Sequence, residues 1–292
     1  MRLAFALGFL VGPRSLVLAQ DTKLAEARQQ IEKRISDSHA DVGVAFRTID
    51  GKTSWSYHAD QSFHAASTMK VPVMIELFHQ VKEGKFRLDE PLPISNEFHS
   101  IVDGSVYKLD SKDDSDTELY KAEGQTRTVS QLCELMITMS SNLATNLLIE
   151  KLGVEDIRST VHAMGADGMN VLRGVEDGKA FEKGLNNTTT AEGLAVLLNA
   201  IAEGKAVDAD ASRQMVEILS RQHSNDGIPA GLPPGIKVAH KTGEITKIHH
   251  DAAIVYAPRP FVLVILVRGV AERKDSAALM VDIARLLYQA TE

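Results

Sequence analysis

Strand-like alternation occupies the two ends of this chain and helical spacing fills the long stretch between them, a distribution that few architectures satisfy. Val42, Val44 and Phe46 alternate with small or polar residues, Asp50-Gly51 supplies a hairpin turn, and Trp55 and Tyr57 alternate on the return. Residues 237–245, 251–257 and 261–270 read as three further strands, the last two joined across Pro258-Arg259-Pro260. Leu24, Ala27, Ile31 and Ile35 recur at helical spacing, and a closing helix is predicted from about Asp275 to Ala290. The pattern predicts an α+β fold in which one antiparallel sheet is assembled from both ends of the chain, with helices packed on it.

Between the ends, helical periodicity covers residues 67–82, 130–139, 143–152, 192–203 and 212–222, with Gly153 and Gly204 as stop signals and Thr189 and Glu192 as a capping box. Residues 105–126 are crowded with Lys108, Asp110, Lys112, Asp113, Asp114, Asp116 and Glu118 and read as a solvated surface loop.

Cys133 is the single cysteine of the 292 residues, which excludes an intramolecular disulfide, a CxxC pair and a cysteine-rich zinc site; it sits on an apolar helix and is expected to be a packing residue. The net charge of −7, without a Lys/Arg cluster, argues against nucleic-acid binding. Met1-Arg2 precedes an apolar run over residues 3–12, too short to span a bilayer, and Val17-Leu18-Ala19 offers small residues for cleavage. A secretion signal over residues 1–19 is therefore expected; its removal strips two arginines and no acid, taking the charge from −7 to −9.

Two Ser-x-x-Lys quartets occur, about what chance supplies in a chain of this length. Context separates them. Ser67-Thr68-Met69-Lys70 follows Ala65-Ala66 and opens an apolar helix, whereas Ser105-Val106-Tyr107-Lys108 lies in the polar stretch. On a helix Lys70 stands one turn from Ser67, where an amine of lowered pKa can take a hydroxyl proton. The helix start also offers free N–H groups to a developing oxyanion. Ser140-Ser141-Asn142 lies between two apolar helices, and Lys241-Thr242-Gly243 lies in a predicted strand, where an interior Gly marks close approach of a ligand or another backbone. Each element alone is compatible with ordinary structure; their joint occurrence in this order is not.

With these three elements the chain resembles the class A β-lactamases and the related serine penicillin-binding enzymes. The resemblance implies a five-stranded antiparallel sheet with flanking helices, a sheet subdomain over about 20–66 and 225–292, an all-helical subdomain over about 67–224, and a site in the cleft between them. It implies acylation of Ser67 by a β-lactam, or by an acyl-D-alanyl-D-alanine-type substrate, with Lys70 as a candidate proton acceptor. Ser140 would relay a proton to the leaving nitrogen and Asn142 would bind the substrate amide. Lys241 and Thr242 would hold the substrate carboxylate, and the N–H groups of Ser67 and Glu244, beside Gly243, would form the oxyanion hole. No metal or organic cofactor is implied, and a secreted or periplasmic monomer is expected.

The match departs from the family in four places. The family's deacylating glutamate has two candidates: Glu182, in the string Phe181-Glu182-Lys183-Gly184-Leu185-Asn186, and Glu176, if Arg173 and Asn187 close the loop's neck. The second register loses the family's Asn partner. Ser141 stands where the family has Asp, and Glu244 stands where small or neutral residues are usual. His249, in His249-His250-Asp251, lies where an arginine is often placed and is a candidate replacement cation. The alternatives are a D-alanyl-D-alanine carboxypeptidase or esterase, and a penicillin-binding protein that deacylates slowly.

Overall fold

The structure is a computed structural model that describes residues 13–292. Helix α1 (Pro13–Ser38) leads into β1 (Asp41–Thr48) and β2 (Ser54–Tyr57), joined by the turn at Asp50-Gly51. The apolar run of the expected leader, residues 3–12, lies outside the described residues. A 3-10 turn, Ala66–Met69, opens α2 (Lys70–Lys82); then come α3 (Val129–Thr138), α4 (Asn142–Leu152), α5 (Val154–Ala163), α6 (Gly178–Glu182), α7 (Ala191–Ala202) and α8 (Ala209–Leu219). The chain closes with β3 (Lys237–Ile245), β4 (Ile248–Tyr256), β5 (Phe261–Arg268) and α9 (Arg273–Thr291).

These five strands form one antiparallel sheet in the order β2-β1-β5-β4-β3. The N-terminal hairpin joins the C-terminal meander where β1 pairs with β5, Val44 opposite Ile265 and Phe46 opposite Leu263. Strand β5, Phe-Val-Leu-Val-Ile-Leu-Val-Arg, is apolar throughout because both its faces are covered. Phe261, Leu263 and Ile265 pack with Leu24, Ile31, Ile283 and Leu287 of α1 and α9. Val262, Val264 and Leu266 face the helical layer, with Met69, Leu194 and Leu198. Helix α2 is buried nearly all round, as a helix at the centre of a layer must be. Cys133 is buried in that layer, its thiol pushed up to about 12 by desolvation. Among the described residues no helix is long and apolar enough to cross a membrane.

Several boundaries differ from expectation for identifiable reasons. Strand β4 begins at Ile248, so His249 and His250 lie inside the sheet. The N-cap of α7 is Thr190, which accepts from Gly193 N at 3.0 Å, while Glu192 pairs instead with Arg47. Helices α5 and α6 were not anticipated. Most of residues 105–126 are exposed, as expected, but the stretch is anchored: Leu109, Leu119 and Ala122 are buried, and so are Asp114 and Asp116. The two carboxylates turn inward to accept backbone N–H groups, Asp114 Oδ1 from Asp116 at 3.1 Å and Asp116 Oδ1 from Glu118 at 3.2 Å. Backbone N–H groups of the segment thus hold one oxygen of each carboxylate, while Asp116 Oδ2 is left without a partner among the described residues.

Candidate active site

Sheet edge β3, the turn before α2, the α3–α4 junction and the loop around Glu176 enclose a cleft of about 810 Å³. Three non-glycine residues on its wall, Ala66, Ser140 and Glu176, have φ of 45°, 60° and 62°. Left-handed backbone at such residues costs about 1–3 kcal/mol each, so the surrounding contacts must impose it.

Ser67 lies on the cleft wall in the turn Ala66–Met69. The turn is fixed from behind: His64 Nδ1 accepts Ala66 N–H at 3.0 Å, and His250 Nε2 meets the His64 carbonyl at 3.0 Å. His250, wholly buried, is neutral because desolvation pulls its pKa down to about 4. From the front the turn meets β3. A Cβ built on Gly243 would lie 3.1 Å from Thr68 N and 3.2 Å from Ala66 Cβ, so this interior glycine does mark a close backbone approach.

Lys70, the first residue of α2, is fully buried. Its Nζ donates to Ser140 O at 2.6 Å, Asn142 Oδ1 at 2.9 Å and Ser140 Oγ at 3.3 Å. Burial lowers its pKa to about 7, partly opposed by the charges of Asp114 and Glu176. Lys241 reaches the same hydroxyl from the sheet, 3.1 Å from Ser140 Oγ and 2.8 Å from Thr242 O. Desolvation and the neighbouring Lys70 push it well below the ordinary lysine range. Ser140 Oγ is thus held between two buried amines, both with lowered pKa, and Thr242 and Glu244 line the cleft beside it.

Of the two candidate glutamates, the structure puts Glu176 in the cleft. Asn187 Oδ1 accepts from Leu172 N at 2.8 Å and Arg173 N at 3.1 Å, and Asn187 Nδ2 donates to Arg173 O at 3.0 Å. The neck therefore closes on Arg173 and Asn187. Both neighbours of Glu176 are clamped: Val175 N donates to Asn146 Oδ1 at 2.7 Å, and Asp177 accepts from Ser100 Oγ at 2.9 Å and Ile101 N at 3.0 Å. Glu176 Oε1 accepts from Asn142 Nδ2 at 3.2 Å. Burial, then Asp113 and Asp114, raise its pKa, opposed by Lys70 and Arg173. Glu182 ends α6 as an exposed residue away from the cleft lining. Four residues after Glu176 stands buried Ala180, not an asparagine.

His249 is not a cleft cation. It is buried, with Nδ1 2.9 Å from Ser276 Oγ, and desolvation followed by the charge of Arg273 lowers its pKa, which keeps it neutral. Behind Glu244 stands Arg273, at the start of α9, which donates to Glu244 Oε2 at 2.7 Å and to Asp226 Oδ1 at 2.9 Å. The acid at 244 is therefore partnered. Arg273 and Asp114 escaped the sequence reading because each lies in a charged stretch indistinguishable from a solvated surface.

A family model described as the Beta-lactamase enzyme family matches residues 26–291. The β-lactamase ROB-1 of Haemophilus influenzae is 26% identical over 94% of this chain and 88% of its own length. A β-lactamase of Mycobacterium tuberculosis is 24% identical over 87% and 80%. Among solved structures, PBP-A aligns at a TM-score of 0.78 with 27% identity, covering 92% of this chain and 96% of PBP-A. An ancestral class A β-lactamase aligns at 0.78 with 25% identity, covering 90% and 99%. The match over nearly the whole described length, on a cleft where serine, two buried lysines and a glutamate converge, makes this chain a member of the β-lactamase enzyme family.

Proposed function

We propose that the protein is a serine β-lactamase that opens the lactam amide through an acyl-enzyme on Ser67. The observation that carries this reading is one hydrogen-bonded line, Lys241–Ser140–Lys70–Asn142–Glu176, beside the cleft whose wall carries Ser67. Ser67 Oγ attacks the lactam carbonyl as Lys70, in its amine form, takes the hydroxyl proton. The N–H groups of Ser67 and Glu244 hold the oxyanion, Lys241 and Thr242 the substrate carboxylate, and Asn142 the substrate amide. The C–N bond then breaks, and Ser140 gives its proton to the leaving nitrogen while taking one from Lys70, which returns to its amine form. Glu176 removes a proton from water as it attacks the ester, and that proton is returned to Ser67 Oγ as the ester bond breaks, restoring both groups.

A second reading has its own support. Ala180 leaves Glu176 without the asparagine that shares the water in the family, and PBP-A is among the similar structures. A penicillin-binding protein with a long-lived acyl-enzyme would follow. Incubation with nitrocefin and intact-protein mass measurement with penicillin separate the two: many turnovers per enzyme are expected, and a stable stoichiometric adduct would favour the binder. A protein that neither turns over nor gains mass would overturn both. The leader-like N-terminus supports export, to be checked by N-terminal sequencing of protein from the native host.

Acylation requires the neutral amine of Lys70, whose pKa is about 7, so the single-turnover acylation rate is expected to rise with pH through about 7. A rate already level at pH 5 would remove Lys70 from the role of base. Gly243→Ala is expected to push β3 off Thr68 by a few tenths of an ångström. Oxyanion geometry is sensitive to such shifts, so acylation should fall about tenfold, while the midpoint of thermal unfolding should drop by only about 2–4 °C.

A further inference from the structure

We propose that Asp114 is a positioning residue of this site, a carboxylate brought in from a distant segment to do the work that Ser141 cannot do in the second sequence element. The inference rests on the acyl-enzyme reading above.

Its geometry is specific. Asp114 Oδ2 accepts the N–H groups of Asn142 at 2.9 Å and Leu143 at 3.0 Å, together with the Tyr120 hydroxyl at 2.8 Å. Those two N–H groups open α4, where no carbonyl of the helix can reach them and where the dipole favours an anion. Ser141 caps the same helix through Oγ, 3.3 Å from Ala144 N, and brings no charge. The cap is divided: a local hydroxyl and a carboxylate from 28 residues upstream of Asn142. Tyr120 is held as a donor, since burial and its bond to Asp114 raise its pKa.

The consequence reaches Lys70. Pinning the backbone of Asn142 aims its Oδ1 at Lys70 and its Nδ2 at Glu176. It also restrains Ser140, two residues before, whose left-handed backbone turns its carbonyl onto the same ammonium. The charges around Lys70 are Asp114 and Glu176, which favour the ammonium, and Lys241, which opposes it. Asp114 therefore acts twice, by holding in place the segment that carries the lysine's three acceptor atoms and by biasing its protonation.

Three variants test this: Asp114→Asn, Ser141→Asp and the double variant. Each is measured by fluorescent-penicillin acylation against pH and by 13C NMR titration of the lysine side chains, with Lys70 assigned through Lys70→Arg. Asp114→Asn is expected to slow acylation about tenfold or more and to move both the acid limb and the Lys70 titration to lower pH. Adding Ser141→Asp should return both toward native. Ser141→Asp alone should move them to higher pH, and this arm does not depend on Asp114→Asn folding. An acid limb and a titration that stay put in every variant would overturn the proposal, as would a double variant that recovers neither. The titration needs no substrate, so native protein inert to penicillin would sink the acyl-enzyme reading while leaving the Asp114 arm readable.

Discussion

Glu176→Gln should leave the enzyme stranded as a penicilloyl ester. Deacylation is expected to slow by about 10²–10⁴-fold, the contribution of a well-placed general base, while Ser67 still reacts. The expectation rests on placement. Glu176 is reached by Asn142, lies in the field of Lys70, and is locked at φ 62° between two residues clamped by Asn146, Ser100 and Ile101. Glutamine keeps the volume and the acceptor for Asn142 but cannot take a proton. Intact-protein mass after mixing with penicillin reads the adduct directly, and Glu182→Gln provides the comparison, since that side chain is exposed at the end of α6 and should turn over normally. An adduct that accumulates in the Glu182 variant and not in the Glu176 variant would reverse the assignment. The raised pKa of Glu176 adds a pH signature: native deacylation should fail on mild acidification, at a pH above the ordinary glutamate range, because water activation needs the anion.

Ser67→Ala should abolish the adduct and reduce nitrocefin turnover on the order of 10⁵-fold or more, the scale of loss when an acyl-transfer enzyme loses its nucleophile. Folding should survive, since Ser67 is only partly buried and no packed apolar group is removed. A matched thermal unfolding midpoint is the control. Residual hydrolysis within tenfold of native would show that chemistry bypasses Ser67.

The sheet was legible because its signals are local: unbroken apolar β5, the Asp50-Gly51 turn and the interior Gly243 each state their own geometry. The start of β4 was not, because two histidines read as polar although burial keeps both neutral within the sheet. Ser67 and Lys70 stood out only in company with Ser140-Ser141-Asn142 and Lys241-Thr242-Gly243, since their spacing alone is common. Glu176 competed with a better string match at Phe181-Glu182, and the contacts that decide between them come from residues 100, 101, 146 and 187, which no local pattern connects. Asp114 was hidden for the same reason: its partners are Asn142 and Leu143, and in its own neighbourhood it is one aspartate among several.

The pairing of β1 with β5 also sets a clock on the enzyme's maturation. Asp41 and Arg268 meet across 227 residues, so the sheet cannot close until almost the entire polypeptide has been made. Lys241 and Gly243 arrive on that late meander, whereas Ser67 and Lys70 are synthesised early. A ribosome-bound chain therefore carries its serine and first lysine without the edge strand that faces them, and completes the site only when its last quarter folds back onto its first.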